Sequence, residues 1–339
     1  MDPESHPLVM RGPLLVALCL LLAGCATPGA DDRLDADVPA SGGGDGDGNA
    51  TAGPGSGGPG GSSGSGGGGA GGGTVVGGNV SVGGGVNATT NATGPPDWGE
   101  PDGHGIRPGI NMEFQGAGCT TSFVLHLNWT RYFLATAAHC VEDGSSDDTN
   151  GCTAPLSDGT KARLLLEGGG TATATIAYTS WDTMQRLGGA GDDACRGNDF
   201  ALLEVAPLDL DELHPASLHF EAPTGLAERP TPTVYGYGAS SLKGGVEEVH
   251  PKEGRHLGMA NGGWSHHVYL ASPGIPGDSG GHIMTSDGKA LGVASTILLA
   301  PTPASNHYTD LARALAYMEE KEGWAPELVT WDGWDPSLV

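Results

Sequence analysis

Between residues 41 and 73 the chain reads SGGGDGDGNATAGPGSGGPGGSSGSGGGGAGGG, and a stretch of this composition cannot fold by itself. Glycine has the most backbone freedom to lose on folding. It offers no side chain whose burial would offset that loss. Any hydrophobic core must therefore be built elsewhere. Residues 25–104 read as a flexible, Gly-rich stalk. It carries nine acids, at positions 31, 32, 35, 37, 45, 47, 97, 100 and 102, against Arg33. Asn49, Asn79, Asn87 and Asn91 each open an N-x-S/T sequon, as does Asn128 farther on. These are acceptor sites for sugar where the machinery exists, or simply the usual Asn and Thr of a polar linker.

Ahead of the stalk, residues 1–24 have the layout of a secretory signal. "MRGPLLVALCLLLAGC" starts at Met10, which reads as the true start, because the acidic "MDPESHPLV" before it suits a signal poorly. One positive charge precedes an apolar run too short to span a bilayer, and small residues follow it. Leu22-Ala23-Gly24-Cys25 resembles the lipobox of prokaryotic lipoproteins, which implies lipidation at Cys25 and attachment to a membrane only through that lipid. An ordinary signal peptide cut nearby is the alternative. The formal net charge is −25, with only 15 Lys and Arg. Phosphates repel such a polyanion, so nucleic acid is excluded as a partner. The same charge resists self-association and favours a monomer outside the cell or in a salty medium.

From residue 105 the texture changes. Short apolar runs, rich in Val, Thr, Tyr and Phe, alternate with Gly, Pro, Asp and Asn. "TTSFVLHL" and "RYFLATAAH" flank Asn128-Trp129 and read as neighbouring strands. "KARLLLEG", "TATATIAYT", "DFALLEVA", "PTVYGYG", "HHVYLA", "GHIMTS" and "KALGVASTILL" follow in the same style. None is long enough for an ordinary helix, and many short strands with frequent turns indicate an all-β barrel or sandwich. The exception is residues 310–323, where Leu311, Ala314, Leu315 and Met318 share one helical face and Gly323 ends it. The tail from 324 to 339 holds three tryptophans and has no assignment.

Six cysteines are present. Cys19 lies within the signal and Cys25 in the lipobox. The remaining Cys119, Cys140, Cys152 and Cys195 read as two disulfides of an exported domain. Spacing alone leaves all three pairings open.

Three stretches carry the chemistry. His139 ends the run "LATAAHC", Asp199 precedes a strand in "GNDFALLEV", and Ser279 sits among glycines in "GIPGDSGG". A serine hydroxyl is a weak nucleophile at neutral pH and needs a base within hydrogen-bond reach. An imidazole base needs an acceptor at its other nitrogen to fix the tautomer. The developing oxyanion needs fixed backbone donors. A glycine at 277 lets the N–H groups of Gly277 and Ser279 point into one cavity. Asp278, beside the serine, reads as a structural carboxylate held by a cation. "SHH" at 265–267 lacks the ligand spacing of a zinc site, so no metal or other cofactor is called for.

At these residues the chain resembles the chymotrypsin-like serine endopeptidases, in their prokaryotic form. "TAAHC" stands at 136–140, "GDSGG" at 277–281, and the order His, Asp, Ser matches that family. The resemblance covers about 110 to 323. It implies two antiparallel six-stranded β-barrels with a C-terminal helix, the first over 105–225 and the second over 226–323. It implies His139 as general base, Asp199 as its orienting acid and Ser279 as nucleophile, with Gly277 and Ser279 N–H as the oxyanion hole. It also implies Cys119–Cys140, which leaves Cys152–Cys195. "TVVGG" at 74–78 looks like the activation start of animal members, but no Lys or Arg precedes it and it reads as chance. An internal cation must then meet Asp278, and no arginine suggests itself.

In the family, the primary pocket has its base six residues before the serine. Here that is Pro273, followed by Gly274, with Ser295, Thr296 and Ile297 as a wall. No acid awaits a basic side chain, and Ile297 narrows the space. The expected activity is cleavage of protein or peptide substrates after small or medium apolar residues, by an extracellular, surface-tethered or secreted enzyme. Two other readings remain: a silent protease-fold adhesion protein, and a lipase or esterase, whose nucleophile elbow would lead into a helix.

Overall fold

Alternation of exposed and buried residues shapes the first strands. In Lys161–Leu165 the side chains of Ala162 and Leu164 are buried while Lys161 and Arg163 are exposed, the two-residue period of a half-buried strand. The computed structural model describes residues 96–331 apart from 143–149, 157–158, 244–249 and 299–304. All of these belong to one compact unit, residues 78–339. The signal segment, Cys25, "TVVGG", the sequons at Asn49, Asn79, Asn87 and Asn91, and the last eight residues, 332–339, lie outside the described residues.

The first half is an eight-stranded antiparallel sheet. Its strands are β1 (Asn111–Phe114), β2 (Ala117–Thr120), β3 (Val124–Leu127), β4 (Arg131–Thr136), β5 (Lys161–Leu165), β6 (Thr171–Thr179), β7 (Ala201–Val205) and β15 (Glu327–Leu328). Their order is β15-β3-β4-β7-β6-β5-β1-β2. The second half contains β8 (Gly225–Leu226), β9 (Thr233–Tyr237), β10 (Pro251–Ala260), β11 (Ser265–Leu270), β12 (His282–Thr285), β13 (Lys289–Leu298) and β14 (Ser305–Asp310). Here β12-β9-β10-β11-β14-β13 closes through a β12–β13 pairing into a six-stranded barrel, and β8 adds to β13 in parallel. The all-β architecture read from the sequence is present, and each of its nine apolar runs forms a strand.

The C-terminal helix, α3 (Leu311–Glu322), is also present. Asp310 caps it by accepting Arg313 N at 2.8 Å, and Gly323 ends it at φ 75°. Leu311, Ala314, Leu315 and Met318 are buried, as their spacing requires. They pack into a cluster with Phe133, Leu202 and Met284 that draws on both halves. Two short helices were not anticipated: α1 (Ser180–Leu187) and α2 (Asp192–Gly197). Helix α1 follows β6 without a break. Thr179 Oγ1 accepts Asp182 N at 3.0 Å and starts it, and Trp181 and Met184, three apart, are buried. The tryptophan-rich tail also has a role. Its β15 extends the first sheet beside β3, and Trp324 packs on Phe133. Trp98, within the stretch that reads as stalk, is 9 % exposed and stacks edge-on against Tyr132.

Both disulfides are formed, Cys119–Cys140 and Cys152–Cys195. The first ties β2 to the short turn after β4. In the chain-entropy view a loop of this size contributes about 3 kcal/mol.

Candidate active site

His139 lies in a 3-10 turn, Ala138–Cys140, directly after β4. Asp199 lies between α2 and β7. Because β4 pairs with β7, with Thr136 opposite Ala201, the two side chains meet. Asp199 Oδ2 accepts His139 Nδ1–H at 2.7 Å, and Oδ1 accepts the backbone N–H of His139 at 3.0 Å. Ser295 Oγ donates to the same Oδ2 at 2.7 Å. Asp199 is 1 % exposed. Burial opposes its charge, but His139 and the three hydrogen bonds outweigh burial and hold its pKa below the usual carboxylate range. An ionised carboxylate only accepts, so Nδ1 carries the proton. Nε2 is left as the free basic nitrogen, 3.8 Å from Cys140 Sγ. Burial likewise disfavours the imidazolium, yet the Asp199 charge and hydrogen bond prevail and raise the His139 pKa.

Ser279 sits in the turn between β11 and β12, and the first sheet holds that turn from outside. Thr120 N donates to Ser279 O at 2.8 Å, and Thr120 Oγ1 donates to Gly277 O at 2.8 Å. Gly280 has φ 83°, and a Cβ there would lie 2.2 Å from both Thr120 O and Thr136 Oγ1. Only glycine lets the turn approach the strand that leads to His139. Gly277, at φ 96°, is equally constrained, since a Cβ would fall 2.9 Å from Ser240 Oγ. Among the described residues the N–H groups of Gly277 and Ser279 donate to no backbone or side-chain acceptor. Ser279 is half-buried and its hydroxyl makes no hydrogen bond, to His139 or to any other described residue. Hydroxyl–imidazole bonds are often long in substrate-free sites and tighten when substrate binds.

Asp278 has the internal cation that its position calls for, and it has two. Lys252 Nζ lies 2.5 Å from Oδ2 and Lys243 Nζ 2.8 Å from Oδ1. The backbone N–H groups of Ser240 and Ile275 each donate to the carboxylate at 3.1 Å. Burial works against its charge, and the two ammonium groups overcome it and depress the Asp278 pKa. The sequence suggests no arginine for this role, and nothing local marks the two lysines.

A pocket beside Ser279 is lined by Gly274, Asp278, Ser295, Thr296 and Ile297, and also by Asn306 and Tyr308. Pro273 does not line it; its carbonyl instead accepts Lys252 Nζ at 3.4 Å. Within this lining Asn306 Oδ1 accepts Gly274 N at 3.0 Å. The cavity holds about 20 Å³, room for little more than one water molecule.

No protein-family model matches the chain, and no curated protein matches it. Solved structures are similar in fold. Thermobifida fusca protease A is 16 % identical, with a TM-score of 0.43 over 67 % of this chain and 99 % of that one. A Nocardiopsis protease is 13 % identical, with a TM-score of 0.40 over 66 % of this chain and 99 % of that one. Cellulomonas bogoriensis chymotrypsin is 13 % identical, with a TM-score of 0.36 over 67 % of this chain and 99 % of that one.

Proposed function

We propose that the protein is a serine endopeptidase working through an acyl-enzyme. One observation carries the reading: a buried, ionised Asp199 fixes His139 as a base, beside a turn whose Gly277 and Ser279 amides are unclaimed. When substrate binds, Ser279 Oγ attacks the scissile carbonyl and His139 Nε2 takes its proton. The Gly277 and Ser279 N–H groups hold the oxyanion. His139 then gives the proton to the leaving amine, and water repeats the sequence on the ester. Asp199 stabilises the imidazolium and stays ionised throughout. The small pocket and Ile297 favour small or medium apolar side chains at the cleaved position. The signal layout and lipobox place the enzyme outside the cell, on a lipid anchor at Cys25 and a flexible stalk.

The test is fluorophosphonate labelling of the wild type beside Ser279→Ala, with casein hydrolysis in parallel at low and high salt. Both signals should vanish in the variant, a fall of about six powers of ten in turnover. The unbonded Ser279 hydroxyl also fits a catalytically silent adhesion protein. Well-folded wild type that takes no label at any salt would mean a zymogen or a non-catalytic relative, and wild type that still takes no label after limited proteolysis of the stalk would sink the protease.

A further inference from the structure

The carboxylate behind the oxyanion turn is over-neutralised. Two buried ammonium groups face one carboxylate, so the cluster carries one positive charge in excess (+2 − 1 = +1). Lys252 is 2 % exposed, and the Lys243 side chain is 4 % exposed. One lysine would satisfy Asp278. A second one held dry costs desolvation energy without being needed for the pairing. Its position explains it better than its stability does. Asp278 is the residue between Gly277 and Ser279, so the excess charge is held by the residue that links the two amides assigned to the oxyanion.

We propose that Lys243 is a positioning residue for catalysis: its charge, added to that of Lys252, biases the Gly277–Ser279 turn and its amides toward a negative oxygen. The inference rests on the protease reading above. A preorganised charge near a water-poor site stabilises developing negative charge without reorganisation during the reaction.

The groups around Lys243 make this charge removable. From the turn, Asp278 faces it at 2.8 Å; from β9's end, the Gly238 carbonyl accepts its Nζ at 2.6 Å. From β10, Lys252 repels it, and His250 beside that strand donates Nδ1–H to the same carbonyl at 2.7 Å. Burial chiefly lowers the His250 pKa, so its ring is neutral at physiological pH. Tyr308, from β14, stays neutral because burial and the Asp278 charge both raise its pKa. Burial, reinforced by Lys252, lowers the Lys243 pKa to about 8 despite the attraction of Asp278. Losing that proton leaves a neutral Lys252–Asp278 pair behind the turn.

The experiment is the pH dependence of fluorophosphonate inactivation and of peptide kcat/KM for wild type, Lys243→Arg and Lys243→Met. Wild type should lose about tenfold in rate as pH rises through 8. Lys243→Arg, charged at every accessible pH, should keep the neutral-pH rate and lose the alkaline fall. Lys243→Met should sit at the alkaline wild-type rate across the range. A merely structural lysine would lower rates uniformly in the variants and leave an alkaline fall in place. Wild-type rates flat to pH 10, or a fall that persists in Lys243→Arg, overturn the proposal, and neither result needs the Met variant to fold. Absence of labelling in wild type at every pH would instead remove the protease reading beneath it.

Discussion

Two buried aspartates frame the same serine and answer to different partners. Asp199 and Asp278 are 1 % and 5 % exposed, both have depressed pKa values, and each accepts two backbone or hydroxyl donors or more. Asp199 faces His139, an imidazole that can gain and lose a proton. Asp278 faces the side-chain amines of Lys243 and Lys252. Burial is thus not what separates a reactive carboxylate from a structural one. On the protease reading, what separates them is whether the partner changes its charge during turnover. A partner that gains a proton within each turnover makes the carboxylate part of a cycle, while partners that keep their charge through a turnover make it a rivet.

Removing charge from each aspartate breaks the comparison open. Asp199→Asn leaves no buried ion without a partner, because His139 becomes neutral. Its effect falls on chemistry: turnover should drop roughly four powers of ten, since the amide favours the wrong imidazole tautomer. Thermal stability should fall less than in Asp278→Asn. Asp278→Asn strands Lys252 and Lys243, and a broken buried pair costs about 3–5 kcal/mol. Its thermal midpoint should fall sharply before any assay of activity. Urea melts and peptide hydrolysis on both variants decide the matter. If Asp199→Asn proves the more destabilising of the two, the distinction between cycle and rivet is wrong.

The first member of this contrast was legible in the sequence and the second only by half. His139, Asp199 and Ser279 stand in short motifs with distinctive neighbours: a glycine turn around the serine, an apolar strand before the histidine. Asp278 was legible as a structural acid for the same reason. Its partners were not. Lys252 lies 26 residues away on β10, a strand absent from the sequence reading because "PKEGRHLGMA" contains Pro251, Gly254, Gly258 and several charges. Those residues argue against a strand locally, and pairing with β9 and β11 overrides them. Thr120 escaped for a similar reason. Nothing in "GCTTSFV" indicates that one threonine will hold both Gly277 and Ser279 carbonyls. Contacts across two halves of a fold leave no local spacing to read. The pocket shows the same limit: Pro273 was placed by counting back from the serine, and the turn instead directs it toward Lys252.

A pH profile sharpens the comparison with a smaller effect. The His139 pKa is raised, so the acid limb of kcat/KM should have its midpoint above 6.5. Asp199→Asn removes the main cause of the rise, and the limb should move down. For stability the sign is the same: protonated His139 beside Asp199 stabilises the fold below pH 6.5, and that contribution fades as pH rises through the raised value. Asp199, with its pKa lowered, stabilises above the ordinary carboxylate value and loses this as pH falls through the depressed one. Asp278→Asn, if it folds, should leave the acid limb where it was. A limb that moves equally in both variants would mean that the two carboxylates share one titration.

The smallest effect tests the pocket that lies between them. Ile297 is 39 % exposed, so Ile297→Ala removes little buried area and should cost under about 1 kcal/mol of stability. It does remove a wall from a cavity of about 20 Å³. A missing methylene or two in such a wall changes discrimination by roughly 10-fold or more. Peptides with Leu or Phe at the cleaved position should therefore gain on those with Ala or Val, with kcat on the small substrates nearly unchanged. Asp278 is the carboxylate in the lining, and Lys243 and Lys252 already pair with it, so a basic side chain still finds no unpaired acid there. Wild-type preference for Arg or Lys would show that selectivity comes from the acidic surface and not from this wall. Raising salt would then erase the preference, because charges more than about 10 Å apart are screened at 0.1 M ionic strength.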